Sequence, residues 1–94
     1  MKLEKDYYFE SVDNRVSACC KQEVYEVKQK LYELEKLYDH TNFLRISKAM
    51  IVNVSKIQRV APMFNGRLEA VLDNGERVII SRQYVSGLKK KLEM

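Results

Sequence analysis

The segment NFLRISKAMIVNVSKI, residues 42–57, decides the fold. Its apolar residues suit a buried β-strand, but Arg45, Ser47 and Lys48 interrupt them. A buried strand cannot hold two cations and a hydroxyl without polar partners. The segment therefore predicts two strands, FLRIS and MIVNV, separated by a break that presents Ser47 and Lys48 on a loop.

Strand patterns continue beyond this segment as KIQRVAP, RLEAVL and ERVIIS. Pro62 cannot donate to a β-ladder, so its strand should end, bulge or lie at a sheet edge there. Asn65-Gly66 and Asn74-Gly75 have the residue types that two-residue hairpin turns prefer. A short C-terminal helix is expected next, with Ser81 as its N-cap and an apolar stripe at Val85, Leu88 and Leu92.

The N-terminal half begins with three strand patterns, YYFESV, VSACCK and EVYEV, with a turn at Asp13–Arg15. The apolar period then becomes helical from Val27 to Tyr38, with Glu26 and Lys30 as a favourable pair, and should end near DHTN, residues 39–42. Residues 1–94 are therefore predicted to form one mainly β domain. It would hold an antiparallel sheet, one central helix and a short C-terminal helix.

Composition and charge limit the function. Hydrophobic residues make up 46% of the chain and charged residues 32%, which is typical of a globular domain. No apolar run approaches the ~20 residues of a membrane span and no signal peptide is evident, so a cytoplasmic location is expected. Residues 1–40 carry 7 Lys and Arg against 9 Asp and Glu, whereas residues 41–94 carry 10 against 4. A basic second half favours an anionic partner such as nucleic acid, although a solvated basic face would have the same composition.

No catalytic constellation is evident in the sequence. His40 is the only histidine and has no identified partner, and three scattered glycines make no phosphate-binding loop. Cys19 and Cys20 are adjacent, are expected to be reduced, and belong to no C-x-x-C pair. We therefore expect a protein that is not an enzyme, with no catalytic residue, metal or cofactor.

Polar residues in the basic half favour binding instead. Arg82 and Gln83 interrupt the corner between the last strand and the C-terminal helix, as Arg45, Ser47 and Lys48 interrupt the earlier strands. Arginine binds guanine edges and phosphates, glutamine can pair with adenine, and serine and lysine serve phosphate oxygens. Lys56 is a further candidate for a phosphate contact. For each of these residues alone, a solvated surface position remains the alternative.

Two stretches together resemble the LytTR DNA-binding domain. FLRISKAMIVNVSKIQRV is similar to the family pattern F-x-R-x-H-[RK]-S-[YF]-[LIV]-V-N, with either Phe43 or Leu44 as the first residue. LDNGERVIISRQYVSGLKKKL resembles the family's last hairpin, L-x-[ND]-G-x-x-[LIV]-x-[LIV]-S-R, followed by a short helix. The opening strand and the central helix are also similar, so the resemblance covers essentially the whole chain.

The resemblance implies an elongated, mainly β output domain of bacterial LytR/AlgR-type response regulators in two-component systems. Such domains regulate transcription by binding duplex DNA through loops that enter successive major grooves, often as pairs on repeated sites. It therefore implies double-stranded DNA and a second copy of the chain on repeated sites as partners. A receiver domain or an upstream kinase would join them if the chain is an output domain of a longer protein, and a small stand-alone regulator is the alternative.

Site residues also follow from the resemblance. Ser47 and Lys48 match one DNA-contacting loop, Arg82 matches the arginine after the last strand, and Asn14 and Arg15 would supply the other loop, with the register open by one residue. Ala49 matches a serine expected to hold phosphate. Family members usually have histidine where Ser47 stands, so base preference and affinity should differ in this chain.

Two alternatives of other kinds remain open. One is a small barrel of the OB type that binds single-stranded nucleic acid by aromatic stacking, since the chain holds six Tyr and three Phe. The other is a protein-interaction module that uses the acidic half. We expect a monomer or weak self-association, because no long apolar heptad is present.

Overall fold

The computed structural model describes residues 6–20, 23–38 and 41–92. Within these residues the chain forms, in order, β1 Asp6–Val12, β2 Arg15–Cys20, β3 Val24–Val27, α1 Leu31–Leu37, β4 Phe43–Ser47, β5 Met50–Asn53, β6 Ile57–Pro62, β7 Leu68–Leu72, β8 Arg77–Ile80 and α2 Val85–Leu92. Single 3-10 turns lie at Val54–Lys56, Phe64–Gly66 and Arg82–Tyr84. The mainly β class and its two helices are as predicted.

The strands form two antiparallel sheets. The first has the order β3-β2-β1-β5-β4, and the second has the order β6-β7-β8. Ser47 pairs with Met50 where β4 turns into β5, so the predicted break in the opening segment is confirmed. β6 lies at a sheet edge and ends at Pro62, as a residue without an N–H requires.

The five-stranded sheet is the middle layer, because alternate side chains point to opposite faces of a strand. On one face, Phe9, Phe43 and Ile51 are buried with Leu31 and Leu34 of α1. On the other face, Ile46 and Val52 belong to a second buried cluster, which is completed by residues of the three-stranded sheet and α2, namely Ala70, Leu72, Val78, Ile80 and Leu88. The five-stranded sheet is therefore packed on both faces, which holds its strands, and the turns that connect them, in place.

The helix α1 begins later than predicted. Val27 pairs with Val16 at the edge of the five-stranded sheet, so residues 24–27 remain strand. Glu26 therefore does not form the predicted helical pair with Lys30. Lys30 instead precedes the helix, and its backbone N–H donates to Glu33 Oε1 across 2.8 Å, which satisfies one of the free donors of the first turn.

Two turn predictions and one cap prediction were wrong. The two Asn-Gly pairs lie in longer loops, between Pro62 and Leu68 and between Leu72 and Arg77, rather than in two-residue turns. Asp13 and Asn14 form the two-residue turn instead, with φ of 52° and 66°. Ser81 does not cap α2 with its side chain. Its carbonyl accepts from the N–H of Tyr84 across 2.8 Å, and α2 begins only at Val85.

The dimensions are 32 × 26 × 24 Å, so the elongation implied by the resemblance is slight. No helix among the described segments is long and apolar enough to cross a membrane. Cys19 and Cys20 are both free thiols. The predicted helix stop at residues 39–42 lies partly outside the described residues, and His40 lies wholly outside them.

Candidate nucleic-acid interface

Three segments with predicted site residues meet at one end of the middle sheet. The β1–β2 turn and the β4–β5 turn are joined where the N–H of Ser11 donates to the carbonyl of Ala49 across 2.8 Å. The corner between β8 and α2 is joined to β4 where the N–H of Ser81 donates to the carbonyl of Ile46, also across 2.8 Å. Residues far apart in sequence are therefore held side by side by backbone hydrogen bonds.

An open groove runs between two of these segments. It is lined by Ser47, Lys48 and Ala49 of the β4–β5 turn and by Ser81, Arg82 and Gln83 of the corner. The side chains of Lys48, Arg82 and Gln83 are exposed, and none of the three makes a side-chain hydrogen bond or ion pair within the described part of the chain. Two cations and an amide are thus free to bind a polar, anionic partner.

Arg45 lies behind this groove. Its Nε donates to the carbonyl of Ser47 across 2.7 Å and its Nη2 donates to the carbonyl of Lys48 across 2.6 Å. Its Nη1 pairs with Glu35 Oε1 of α1 across 3.0 Å, and only 16% of its side chain is exposed. The sequence grouped Arg45 with the DNA-binding residues, but all three of these donors are engaged within the protein. We therefore assign Arg45 to positioning the β4–β5 turn.

The Ser47 side chain stabilises the β4–β5 turn and is not fully exposed on it. It is half-buried, and its Oγ accepts the N–H of Ala49 across 3.2 Å. Ala49 has no hydroxyl, and its own N–H is already engaged. Of the residues in this turn, Lys48 is therefore the one best placed to reach a ligand.

Asn14 and Arg15 are exposed at the β1–β2 turn. Asp13 and Asn14 both adopt left-handed backbone conformations, which Asp and Asn tolerate better than most residues. This two-residue turn closes the hairpin in register, with Val12 opposite Arg15. The structure thus presents Asn14 and Arg15 at the same end of the sheet as Lys48.

Lys56 lies elsewhere. It follows β5 at the end opposite the β4–β5 turn, and its Nζ lies 5.2 Å from the centroid of the Tyr7 ring. Next to it, the Tyr7 hydroxyl donates to Asp73 Oδ1. The pKa of Tyr7 is raised to about 12 by this hydrogen bond and by burial. The structure therefore separates Lys56 from the other seven predicted residues. The N–H of Asp73 donates to the carbonyl of Lys56 across 2.9 Å, and the negative charge of this neighbouring residue disfavours a phosphate contact there.

The sequence missed a fourth segment at the interface, the loop Met63–Arg67 between β6 and β7. A Cβ built on Gly66 would lie 2.9 Å from Cδ of Arg82, so this loop directly abuts the arginine of the groove. Its Phe64 side chain is 88% exposed. The Asn65-Gly66 pair marked a turn in the sequence, but nothing in the sequence placed that turn beside Arg82.

The described residues include no group of three or more His, Cys, Asp or Glu residues that could hold a metal ion. The aromatic residues Phe9, Tyr38 and Phe43 pack on one another, with ring centroids 5.3 to 5.9 Å apart. They therefore form core and not an exposed stacking platform. The geometry of this end of the sheet instead suits recognition by cations, an amide and an exposed ring.

The chain is similar to LytTR DNA-binding domains both in sequence and in structure. The family model described as the LytTr DNA-binding domain matches residues 1–93. A solved structure, the LytTr DNA-binding domain of a putative methyl-accepting/DNA response regulator from Bacillus cereus, matches with a TM-score of 0.92 and 30% identity. That match covers 100% of this chain and 86% of the solved chain.

Curated relatives are longer proteins. The chain is 37% identical over 89 residues to the sensory transduction protein LytT of Enterococcus faecalis, which covers 94% of this chain and 37% of that protein. It is 31% identical over 86 residues to an uncharacterized HTH-type transcriptional regulator of Staphylococcus aureus, which covers 92% of this chain and 58% of that protein. The chain thus spans well under two thirds of the length of these relatives.

Proposed function

The chain belongs to the LytTR DNA-binding domain family, and on that premise we propose that it binds duplex DNA sequence-specifically to regulate transcription. In this proposal the β1–β2 turn, the β4–β5 turn and the β8–α2 corner enter major grooves. The observation that carries it is the convergence of Lys48, Arg82 and Gln83 on one groove, where their side-chain donors have no partner among residues 6–20, 23–38 and 41–92.

The chemistry of these side chains supports a division of roles. Arg82 carries a planar fork of donors that matches O6 and N7 of guanine, and Gln83 can pair with adenine. Lys48 is a compact, mobile charge suited to a phosphate oxygen. Asn14 and Arg15, on the neighbouring turn, would contact the next stretch of groove or backbone.

A binder of this kind depends strongly on salt. Each phosphate neutralised by a cation releases condensed counterions, so affinity falls steeply as salt rises. The basic second half of the chain, with 10 Lys and Arg against 4 Asp and Glu, supports such a contribution.

The relatives support a regulatory setting. They are described as sensory transduction proteins and transcriptional regulators, and the solved neighbour as a domain of a response regulator. We propose that this domain is the DNA-binding output of such a system, with a receiver domain and an upstream kinase as partners, and that two copies occupy repeated sites.

Selection of bound duplexes from a random pool tests the proposal most directly. A recovered consensus, bound more tightly than a scrambled duplex in fluorescence anisotropy at moderate salt, is the expected result. A repeat of the motif within the consensus would support pairing of two copies. No preference over the scrambled duplex would contradict sequence-specific binding.

The single-stranded alternative is tested in the same assay. Stacking proteins need exposed aromatic rings along a basic strand face. Phe9, Tyr38 and Phe43 pack in the core, and the exposed rings of Tyr32 and Phe64 lie on separate elements, so the described residues present no row of exposed rings along a basic strand face. Competition by the separated strands of the selected duplex is therefore expected to be weak.

A further inference from the structure

Phe64 is the most exposed of the large hydrophobic side chains in the described residues, at 88%. Single exposed apolar residues are common on protein surfaces, so exposure alone assigns no role. The position of Phe64 is what distinguishes it, because its loop lies directly against the side chain of Arg82.

The loop that carries Phe64 is held by its own backbone. The N–H of Met63 donates to the carbonyl of Arg67 across 2.8 Å, and the N–H of Arg67 returns to the carbonyl of Phe64 across 3.4 Å. Asn65 and Gly66 both adopt left-handed backbone conformations, with φ of 63° and 74°. A tight, closed loop of this kind holds the aromatic ring outward at a defined place and lowers the entropy lost on binding.

Close packing between Gly66 and Arg82 makes this loop part of the interface. A side chain at position 66 would lie 2.9 Å from Cδ and 3.0 Å from Cγ of Arg82, so only a residue without a Cβ leaves the arginine where it is. The aliphatic part of the Arg82 side chain therefore packs against the loop backbone at Gly66, two residues along the chain from Phe64.

The charges near Phe64 indicate which kind of partner its loop can bind. The loop Met63–Arg67 carries one cation and no acidic residue, and Arg82 adds a second cation beside it. A loop that carries an exposed apolar ring and has Arg67 and Arg82 as its nearby cations is poorly suited to a cationic or purely apolar protein surface. It suits a polyanion that also offers apolar groups, and the thymine C5-methyl is the apolar group of the DNA major groove.

We infer that the β6–β7 loop is a fourth DNA-contacting element, in which Phe64 packs on the methyl group of a thymine next to the base read by Arg82. This inference rests on the proposed function. It adds a base preference at a position that none of the polar site residues reads.

A double cycle on the selected duplex tests this contact. Each thymine of the consensus is replaced in turn by deoxyuridine, which removes only the methyl group, and affinity is measured by anisotropy for the wild type and for Phe64→Ala. One replacement should weaken the wild type about three- to fivefold, the value of one buried methyl group. Phe64→Ala should weaken binding to the thymine duplex and be insensitive to that same replacement.

Tyr32→Ala is the matched control, because Tyr32 is an exposed aromatic on α1, at 63%, on the other face of the middle sheet. It should bind the thymine duplex as the wild type does. Equal thymine sensitivity in the wild type and Phe64→Ala would overturn the inference. So would wild-type affinity in Phe64→Ala. A uniform loss in Phe64→Ala without thymine dependence would place the ring on the sugar-phosphate backbone and also overturn it.

A second variant reports the contact directly. The chain has no tryptophan, so Phe64→Trp introduces a single tryptophan at this position, whose emission can be excited selectively over that of the six tyrosines. Its emission should shift to the blue and become less accessible to acrylamide when the selected duplex is added. Unchanged emission at saturating duplex would contradict the inference while leaving sequence-specific binding intact, whereas failure to select any consensus would remove the proposed function itself.

Discussion

Arg45 and Glu35 join the β4–β5 turn to helix α1, with Nη1 of the arginine 3.0 Å from Oε1 of the glutamate. Nε and Nη2 of the same guanidinium donate to the carbonyls of Ser47 and Lys48. A side chain that does not line the groove therefore helps to hold the turn that does. This arrangement also answers why a cation interrupts an otherwise apolar strand.

Replacing Arg45 by lysine should weaken DNA binding while the charge is retained. Lysine cannot reproduce the planar fork, so the carbonyls of Ser47 and Lys48 lose at least one charge-assisted hydrogen bond. We expect a loss of about 1–3 kcal/mol in binding free energy, measured by anisotropy on the selected duplex. Glu35→Gln serves as the comparison and should cost less than about 1 kcal/mol, because the pair is partly exposed. Wild-type affinity in Arg45→Lys would show that the turn keeps its shape without this side chain.

Arg82 and Lys48 should contribute to binding in different ways. Arg82→Ala should reduce discrimination between the consensus and single-base variants by about 1–3 kcal/mol. Lys48→Ala should weaken all duplexes alike and reduce the slope of log affinity against log salt by about 1. Both are measured by anisotropy titrations over a salt series.

Lys36→Ala is the matched control, because Lys36 is an exposed lysine on α1. We expect Lys56→Ala to resemble this control, since the structure places Lys56 at the opposite end of β5. A loss of affinity in Lys56→Ala equal to that in Lys48→Ala would contradict this assignment.

Asn14→Gly should separate binding from folding. Glycine adopts the left-handed conformation of position 14, where φ is 66°, without steric cost, so the two-residue turn is retained. The gain from relieved strain and the loss from a more flexible unfolded chain nearly cancel. The free energy of unfolding should therefore change by less than about 1 kcal/mol. DNA affinity should fall because the amide side chain is removed, and wild-type affinity would exclude Asn14 from the contact.

Most of the fold could be predicted from short-range patterns. The break between β4 and β5 was visible because polar residues cannot be buried without partners, and Pro62 marked the end of β6. The start of α1 was not predictable in this way. Val27 fits both a helical and a strand period. It is a strand residue because it pairs with Val16 on the neighbouring strand, and this contact is not visible in the local sequence pattern.

The sequence predicted which residue types belong to the candidate site better than it predicted their positions relative to one another. Lys48 and Arg82 were identified as polar interruptions, but their meeting in one groove depends on the hydrogen bond from Ser81 to Ile46 between two sheets. Arg45 and Lys48 are both cations that interrupt apolar sequence, so the sequence does not distinguish their roles. In the structure Arg45 donates to the β4–β5 turn, whereas the side chain of Lys48 makes no hydrogen bond within the described residues. The sequence around Phe64 gave no indication of its location, because only the close approach of Gly66 to Arg82 in the fold places its loop beside the groove.

Asn53→Ala should destabilise the fold without acting through the DNA interface. Asn53 is buried, its Nδ2 donates to the carbonyl of Asp6 across 3.0 Å, and its Oδ1 accepts from the N–H and the hydroxyl of Ser55. Removing the amide leaves a buried carbonyl without its donor, at a cost of about 1–3 kcal/mol. Urea unfolding monitored by circular dichroism measures the change. Ser86→Ala, at an exposed position of α2, provides a control that should stay within about 0.5 kcal/mol of the wild type.

Tyr7 should make the fold sensitive to alkaline pH. Its pKa is raised to about 12 by the hydrogen bond to Asp73 and by burial, whereas an unfolded tyrosine titrates near its ordinary value of about 10. Below pH ~10 both states hold the proton, so the contribution of the phenol to stability is fully present. Between pH ~10 and ~12 the unfolded state releases the proton while the folded state keeps it, and the free energy of unfolding therefore falls as pH rises.

Tyr7→Phe tests this linkage. It should be less stable than the wild type at pH 8, because the hydrogen bond to Asp73 is lost. Its free energy of unfolding should then fall less steeply from pH 10 to 12, although part of the slope remains because burial also raises the pKa of Tyr25. Urea unfolding at a series of pH values measures both effects. Tyr32→Phe leaves the Tyr7–Asp73 hydrogen bond in place and should keep the wild-type slope, so an equal slope in Tyr7→Phe would show that Tyr7 does not carry the linkage.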